Sequence, residues 1–265
     1  MCIKYGALYM IINNIFSTSN IKFCCNKQEK SAKIRLKYQS DTFERTTNNV
    51  NKDYEKYKQL LDKIYNAKDS NGKIIYDSRI NLAMYPDVSK KEEGVLIYAG
   101  VNDEHDEINR YLSGRPMQKL TPELAEDMVQ VIDFSLKEID KKYGKYNGIV
   151  YRQGIIPNNN QQYISTSTDP IIAATLYGGV FIQKNLDFAI IKTRNGHKIN
   201  EFQRDMDSEY AENEEEILLP RTTKLKEIKE PNYELLNKKR QFVKILEQYA
   251  HRPINPSSVH IYEEI

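Results

Sequence analysis

Tyr210-Ala211-Glu212-Asn213-Glu214-Glu215-Glu216-Ile217-Leu218-Leu219-Pro220-Arg221 runs four acids directly into an apolar triplet. Ile217, Leu218 and Leu219 read as a short buried strand, so the acids stand at its mouth. In extended backbone alternate side chains share a face, and a strand reaching back to Glu214 would set Glu214 and Glu216 one way and Glu215 the other. Two carboxylates on one face can divide labour, because mutual repulsion and local burial push their proton affinities apart. An acidic run taken alone is most often a solvated face. Its meaning rests on what the remaining chain brings to it.

Upstream the hydrophobic period is that of strands. Gly148 to Arg152, Gln162 to Ser165, Val180 to Gln183 and Asp187 to Thr193 are short β-prone runs, interrupted by one brief helix from Pro170 to Tyr177 that Gly178-Gly179 stops. Before them the period is helical. Tyr57, Leu60, Leu61, Ile64 and Tyr65 form one apolar stripe ahead of Ser70-Asn71-Gly72, and Lys73 to Tyr76 suits a short strand. Further helices are expected over Lys90 to Tyr98 and from Asp103 to the stop at Gly114. Thr121-Pro122-Glu123 combines a capping hydroxyl, a proline at the first helical position and an acid in the first turn. The helix it starts carries Leu124, Met128, Val131, Ile132 and Ile139 on its buried stripe and stops at Gly144. Beyond the acidic stretch, Leu235, Leu236, Phe242, Val243, Leu246 and Tyr249 mark a last helix, and Val259 to Tyr262 returns to the sheet. Helices segregated ahead of several strands indicate α+β.

The 265 residues suffice for one large domain, or a domain with a helical appendage, with a sizeable core. With 39 basic against 37 acidic residues no strongly basic region stands out; the charge balance by itself argues neither for nor against a nucleic-acid partner, and none is expected. No apolar run is long enough to span a bilayer. Cys2, Cys24 and Cys25 all lie near the N-terminus, so no cysteine framework staples the body of the chain. Residues 1–20 have the outline of a secretory signal peptide, which a first core helix or a leader fits nearly as well. Residues 26–53 are rich in Lys, Asn, Gln, Ser and Thr, which suits a polar linker. The organisation expected is a leader and linker over 1–49 and a folded body over 50–265.

Several chemistries lack their signatures. There is no G-x-G-x-x-G, no G-x-x-x-x-G-K-[ST] and no H-E-x-x-H, and neither S-x-x-K nor G-x-S-x-G occurs. His105, His197, His251 and His260 are scattered, and no metal is implied. Three separated signals remain, in fixed order. Tyr151-Arg152 ends the first strand, Tyr163-Ile164-Ser165-Thr166-Ser167-Thr168 holds a hydroxyl cluster, and Glu214-x-Glu216 precedes Ile-Leu-Leu-Pro.

In type and order these motifs closely resemble the ADP-ribosyltransferases of the arginine, serine, glutamate class, which include bacterial mono-ADP-ribosylating toxins and related phage enzymes. The resemblance covers about residues 90–223, and Glu107 to Gly114 (E-I-N-R-Y-L-S-G) is similar to the helix such toxins carry before their first strand. It implies an ADP-ribosyltransferase fold, two small antiparallel sheets forming an NAD cleft with flanking helices, over the body of the chain. It also implies transfer of ADP-ribose from NAD, a consumed substrate, to an arginine side chain of a target protein. An NAD glycohydrolase and a catalytically silent partner-binding module of the same fold are the other readings.

By match to the family motifs, Arg152 holds a phosphate or ribose oxygen, Ser165 orients the glutamate, and Glu216 stabilises the developing positive charge on the sugar. The chemistry agrees, since arginine's permanently charged planar fork makes paired bonds to such oxygens, and a fixed carboxylate suits an oxocarbenium-like transition state. Thr166 and Ser167 shape the pocket, and backbone contact to the nicotinamide amide falls to Gln153 or Gly154. Glu214 prepares the acceptor arginine, and Tyr210 matches the aromatic residue that meets the protein substrate. The resemblance further implies a toxin or effector, secreted or delivered into a host cell with or without a delivery partner, a cytoplasmic location being the alternative. Actin and small GTPases are targets of relatives, and nothing in the sequence chooses between them.

Overall fold

The computed structural model describes residues 52–85, 87–99, 104–156, 160–175, 186–199, 202 and 215–265. The leader and linker over 1–49, the strand expected over Val180 to Gln183, Tyr210 and Glu214 lie outside the described residues. Helices come first in the chain. They are α1 (52–65), α2 (Ser78–Met84), α3 (Val95–Ala99), α4 (Glu104–Leu112) and α5 (Pro122–Tyr143), followed later by α6 (Pro170–Thr175) and α7 (Tyr233–Ala250). The strands are β1 (Tyr146–Gln153), β2 (Ile164–Ser167), β3 (Phe188–Lys198), β4 (Glu216–Leu219), β5 (Leu225–Glu227) and β6 (Val259–Glu264). The architecture is α+β, as the segregated periods predict.

Helix α5 shows how local chemistry sets an element. The Thr121 hydroxyl accepts from the Leu124 N–H at 3.3 Å, Pro122 occupies the first turn, and Gly144 at φ 70° ends the helix. Its stripe, Leu124, Met128, Val131, Ile132 and Ile139, is buried as its spacing predicts. Lys90 to Tyr98, expected as one helix, instead forms turns through residues 90–94 and helix only from Val95. Gly94 is the cause. A Cβ there would stand 2.5 Å from both the Ser135 hydroxyl and the Val131 carbonyl, and its N–H donates to that hydroxyl at 3.0 Å. The close approach locks the entry to α3 against α5. The strand expected over Lys73 to Tyr76 reduces to a single bridge between Lys68 and Ile74.

The strands form one connected network in the order β1-β2-β4-β3-β6-β5, with β1 also paired to β3. Two sets can be distinguished within it. In the first, β1 lies antiparallel to β3, and β6 runs parallel to β3 on the other side and antiparallel to β5. In the second, β2 and β4 pair antiparallel over their full four residues. The sets join at Tyr151 opposite Ser167 and where the end of β3 reaches β4. Val150, Ile164, Ala189, Ile191, Ile217, Leu219 and Tyr262 fill the apolar space that the strands themselves enclose. On the outer faces, Tyr151, Phe188 and Ile190 pack with Phe242 and Leu246 of α7, and Leu218 packs with the helical core of α1 to α5.

Candidate active site

One carboxylate on α5 fixes the β2–β4 pair. Asp133 accepts from the Tyr163 hydroxyl at 2.6 Å, just before β2, and from Arg221 just after β4, through Nε at 3.0 Å and Nη2 at 2.9 Å. The entry of one strand and the exit of the other are thus tied to one point of a rigid helix.

Glu216 opens β4 and is 3% exposed. Burying a carboxylate costs several kcal/mol, and Ile217, Leu218 and Leu219, each buried for about 2 kcal/mol, offset it. Immediately before it Glu215 has φ 44°, a left-handed conformation that non-glycine residues seldom adopt. The Glu215 side chain meets the Thr168 hydroxyl, and its carbonyl accepts from the Thr168 N–H at 3.2 Å. The extended geometry therefore begins at Glu216. Strain of this kind, next to a buried acid, is characteristic of functional sites.

Residues opposite one another across an antiparallel pair share a face. Ser165 lies opposite Leu218 and Ser167 opposite Glu216, so Ser165, Ser167 and Glu216 face the helical half together with Leu218. Ser165 and Glu216 there lie near Tyr98 of α3, which is 4% exposed and packs edge-on to Tyr163 at 5.2 Å. The Tyr98 hydroxyl lies near Ser165 and accepts from Asn109 Nδ2 of α4 at 3.1 Å. Its pKa is pushed up to about 12, chiefly by burial, with the Glu216 charge adding while Ser165, Asn109 and the Arg152 charge oppose. The electrostatics of this one hydroxyl bring Arg152, Ser165 and Glu216 into a single neighbourhood.

Arg152 leaves β1 on the face of Ala189, and its Nε donates to the Gln153 carbonyl at 3.0 Å. Gln153 points to the opposite face. Gly154 follows at φ 89°, where only glycine is unstrained; among the described residues no atom lies within 4 Å of where a Cβ would stand, and its N–H is bonded to the Asp187 carbonyl at 2.7 Å. Thr166, on the reverse face from Ser165, donates to the Ile217 carbonyl at 2.5 Å and stitches β2 to β4. Ser167 accepts from the Asp169 N–H at 3.0 Å, which shapes the turn into α6.

Four residues of this region are not singled out by the sequence reading: Tyr98, Asn109, Asp133 and Arg221. Tyr98 sits in the apolar run Val95-Leu96-Ile97-Tyr98 and reads as core, and Asp133 reads as a solvated helix face. Arg221 ends the opening stretch and Asn109 lies inside the E-I-N-R-Y-L-S-G segment, so position could have flagged both. Among the described residues no group of three or more His, Cys, Asp or Glu is placed to hold a metal ion. No described helix is long and apolar enough to cross a membrane.

No protein-family model matches the chain, and no curated protein matches it in sequence. Solved structures similar to it include the eukaryotic mono-ADP-ribosyltransferase ART2.2, 20% identical with a TM-score of 0.47, covering 69% of this chain and 83% of that one. Exoenzyme S from Pseudomonas aeruginosa, solved with human 14-3-3 protein beta and carba-NAD, is 16% identical with a TM-score of 0.44, covering 78% and 88%. The ADP-ribosyltransferase Vis, solved with agmatine, is 15% identical with a TM-score of 0.40, covering 80% and 84%.

Proposed function

We propose that residues 50–265 form a mono-ADP-ribosyltransferase domain that moves ADP-ribose from NAD to an arginine side chain of a target protein, with release of nicotinamide. The observation that carries this reading is the buried Glu216 carboxylate, set on one face with Ser165 at a hydroxyl that the Arg152 charge also reaches. The residues fit NAD as a consumed substrate. Arg152 supplies a permanently charged planar fork for a phosphate or ribose oxygen. Gly154, with no described atom within 4 Å of where a Cβ would stand, lets a ligand approach the backbone closely. Since its N–H is committed to Asp187, contact to the nicotinamide amide falls to the remaining backbone groups of Gln153 and Gly154. Thr166 and Ser167 hold the floor of the pocket in shape through their backbone bonds.

Glu216 stabilises the positive charge that builds on the ribose as its bond to nicotinamide breaks. Ser165 holds that carboxylate in one rotamer. Glu214 draws the proton from the acceptor guanidinium, which is a poor nucleophile while charged, and Tyr210 meets the target protein. A toxin or effector delivered into a host cell is the biological role that suits this reaction.

The test is incubation of the purified protein with labelled NAD and a cell lysate, following nicotinamide release and locating label by mass spectrometry. Release with label on arginine is the expected outcome. Release with ADP-ribose left free identifies a glycohydrolase, and no release identifies a binding module. Glu214→Gln should abolish arginine labelling while keeping most of the hydrolysis, and equal loss of both activities would refute its role as the base.

A further inference from the structure

We propose that Thr168 and Glu215 are positioning residues, a latch beside the site that fixes the main chain on which Glu216 stands. The inference rests on the transferase reading of the site and adds two residues to it. A peptide unit is planar, so a bond to the Glu215 carbonyl orients the same rigid plane that carries the Glu216 nitrogen and ends at its Cα. The Thr168 N–H supplies that bond at 3.2 Å. On the other side of Glu216, its own carbonyl accepts from the Ile199 N–H at 3.3 Å. Both planes flanking the Glu216 Cα are therefore tied, one to the turn after β2 and one to the segment after β3. Together they set the direction of its Cα–Cβ bond.

Glu215 presents that carbonyl from φ 44°, a conformation unfavourable for any residue with a Cβ. Packing does not hold it there, since Glu215 is exposed. A second bond between the same two residues does, from the Thr168 hydroxyl to the Glu215 carboxylate. Thr168 is a firm anchor because the turn around it is closed by its own bonds. The Ser167 hydroxyl accepts from the Asp169 N–H at 3.0 Å. Asp169 in turn starts α6, accepting from the Ile171 N–H at 2.7 Å through its carboxylate and from the Ala173 N–H at 3.1 Å through its carbonyl. The three hydroxyls that follow Ser165 thus divide the support of β4: Thr166 stitches it to β2, Ser167 sets the turn, and Thr168 latches its entry.

The experiment measures nicotinamide release from NAD by the full chain and by Thr168→Val, Thr168→Ser, Glu215→Val, Glu215→Gly and the double variant Thr168→Val/Glu215→Gly, with circular dichroism and urea midpoints on each. Thr168→Val keeps the shape and the main-chain N–H but loses the hydroxyl, so kcat should fall about fivefold while the KM for NAD stays within about twofold. Thr168→Ser, which keeps the hydroxyl, should stay within about twofold of the parent in both. Glu215→Val and Glu215→Gly both delete the carboxylate, but φ 44° is costly for a β-branched residue and free for glycine. Glu215→Val should therefore lower kcat about tenfold, and Glu215→Gly should retain more than about half of it. In the double variant glycine should recover most of what Thr168→Val loses, which a role confined to turn stability would not produce. Unchanged kcat in Thr168→Val, equal kcat in Glu215→Val and Glu215→Gly, or no recovery in the double variant overturns the latch alone. Absence of nicotinamide release from the parent protein overturns the transferase reading and the latch with it. Should Thr168→Val not fold, the comparison of Glu215→Val with Glu215→Gly decides the matter.

Discussion

Glu216 and Glu264 are both strand glutamates, 3% and 8% exposed, and their surroundings differ in kind. Glu264 ends β6 and collects donors from one short segment of β3. These are the Thr193 hydroxyl at 2.8 Å, the Arg194 and Asn195 N–H groups at 2.6 and 3.2 Å, and the Asn195 amide at 2.5 Å. Such a carboxylate is a brace, holding the irregular pairing near Tyr146 and Gly148 in register. Glu216 instead opens its strand behind a left-handed residue, on a face shared with a serine, a buried tyrosine and the field of an arginine from another strand. Burial alone does not mark an active acid. What separates the two is whether the neighbours come from one short segment of the chain or are side chains gathered from several elements.

The sharpest way to break this contrast is to neutralise each acid. Glu216→Gln should abolish NAD turnover, by a factor of at least about a hundred, with little change in the urea midpoint. Full turnover in a folded Glu216→Gln protein would place Glu216 in the same class as Glu264. Arg152→Lys keeps the charge but loses paired hydrogen bonding, so NAD turnover should fall about tenfold in a folded protein. Kinetics unchanged by that substitution would make Arg152 structural.

Glu264→Gln should do the reverse, costing about 2 kcal/mol of stability and sparing activity per folded molecule. Burial works to raise the Glu264 pKa, but the bonds from Arg194, Asn195 and Thr193 prevail and hold it below the ordinary value. A depressed folded pKa adds stability above the unfolded value, about 4.3, that is lost as pH falls through the folded one. The stability gap between parent and Glu264→Gln, read from urea melts, should therefore be full at neutral pH and narrow in that acid window. A gap that widens on acidification would contradict the brace. The smallest effect is expected of Gly196→Ala, whose Cβ would stand 2.3 Å from Ile217 Cγ2 and press on β4 one residue beyond Glu216. A loss of turnover of about twofold to fivefold, with a lowered melting temperature, would show that β4 holds Glu216 in place through this contact. No change in either would mean that Ile217 yields freely.

Much of the frame follows from short-range sequence signals. Thr121-Pro122 and Gly144 bound α5 because capping and left-handed glycine are settled within a turn of the chain, and the apolar triplet at Ile217 forms β4 because three adjacent buried residues admit little else. The order of Arg152, Ser165 and Glu216 was legible for the same reason, as each is marked by its own strand end. Tertiary structure alone decided which faces meet. The parallel pairing of β3 with β6, the left-handed Glu215, the Asp133 clamp on Tyr163 and Arg221, and the bond from Asn109 to Tyr98 all involve residues whose local sequence is ordinary. A tyrosine in an apolar run packs equally well in many cores, and only the three-dimensional arrangement supplies the partner that turns its hydroxyl from a burial cost into a directed bond.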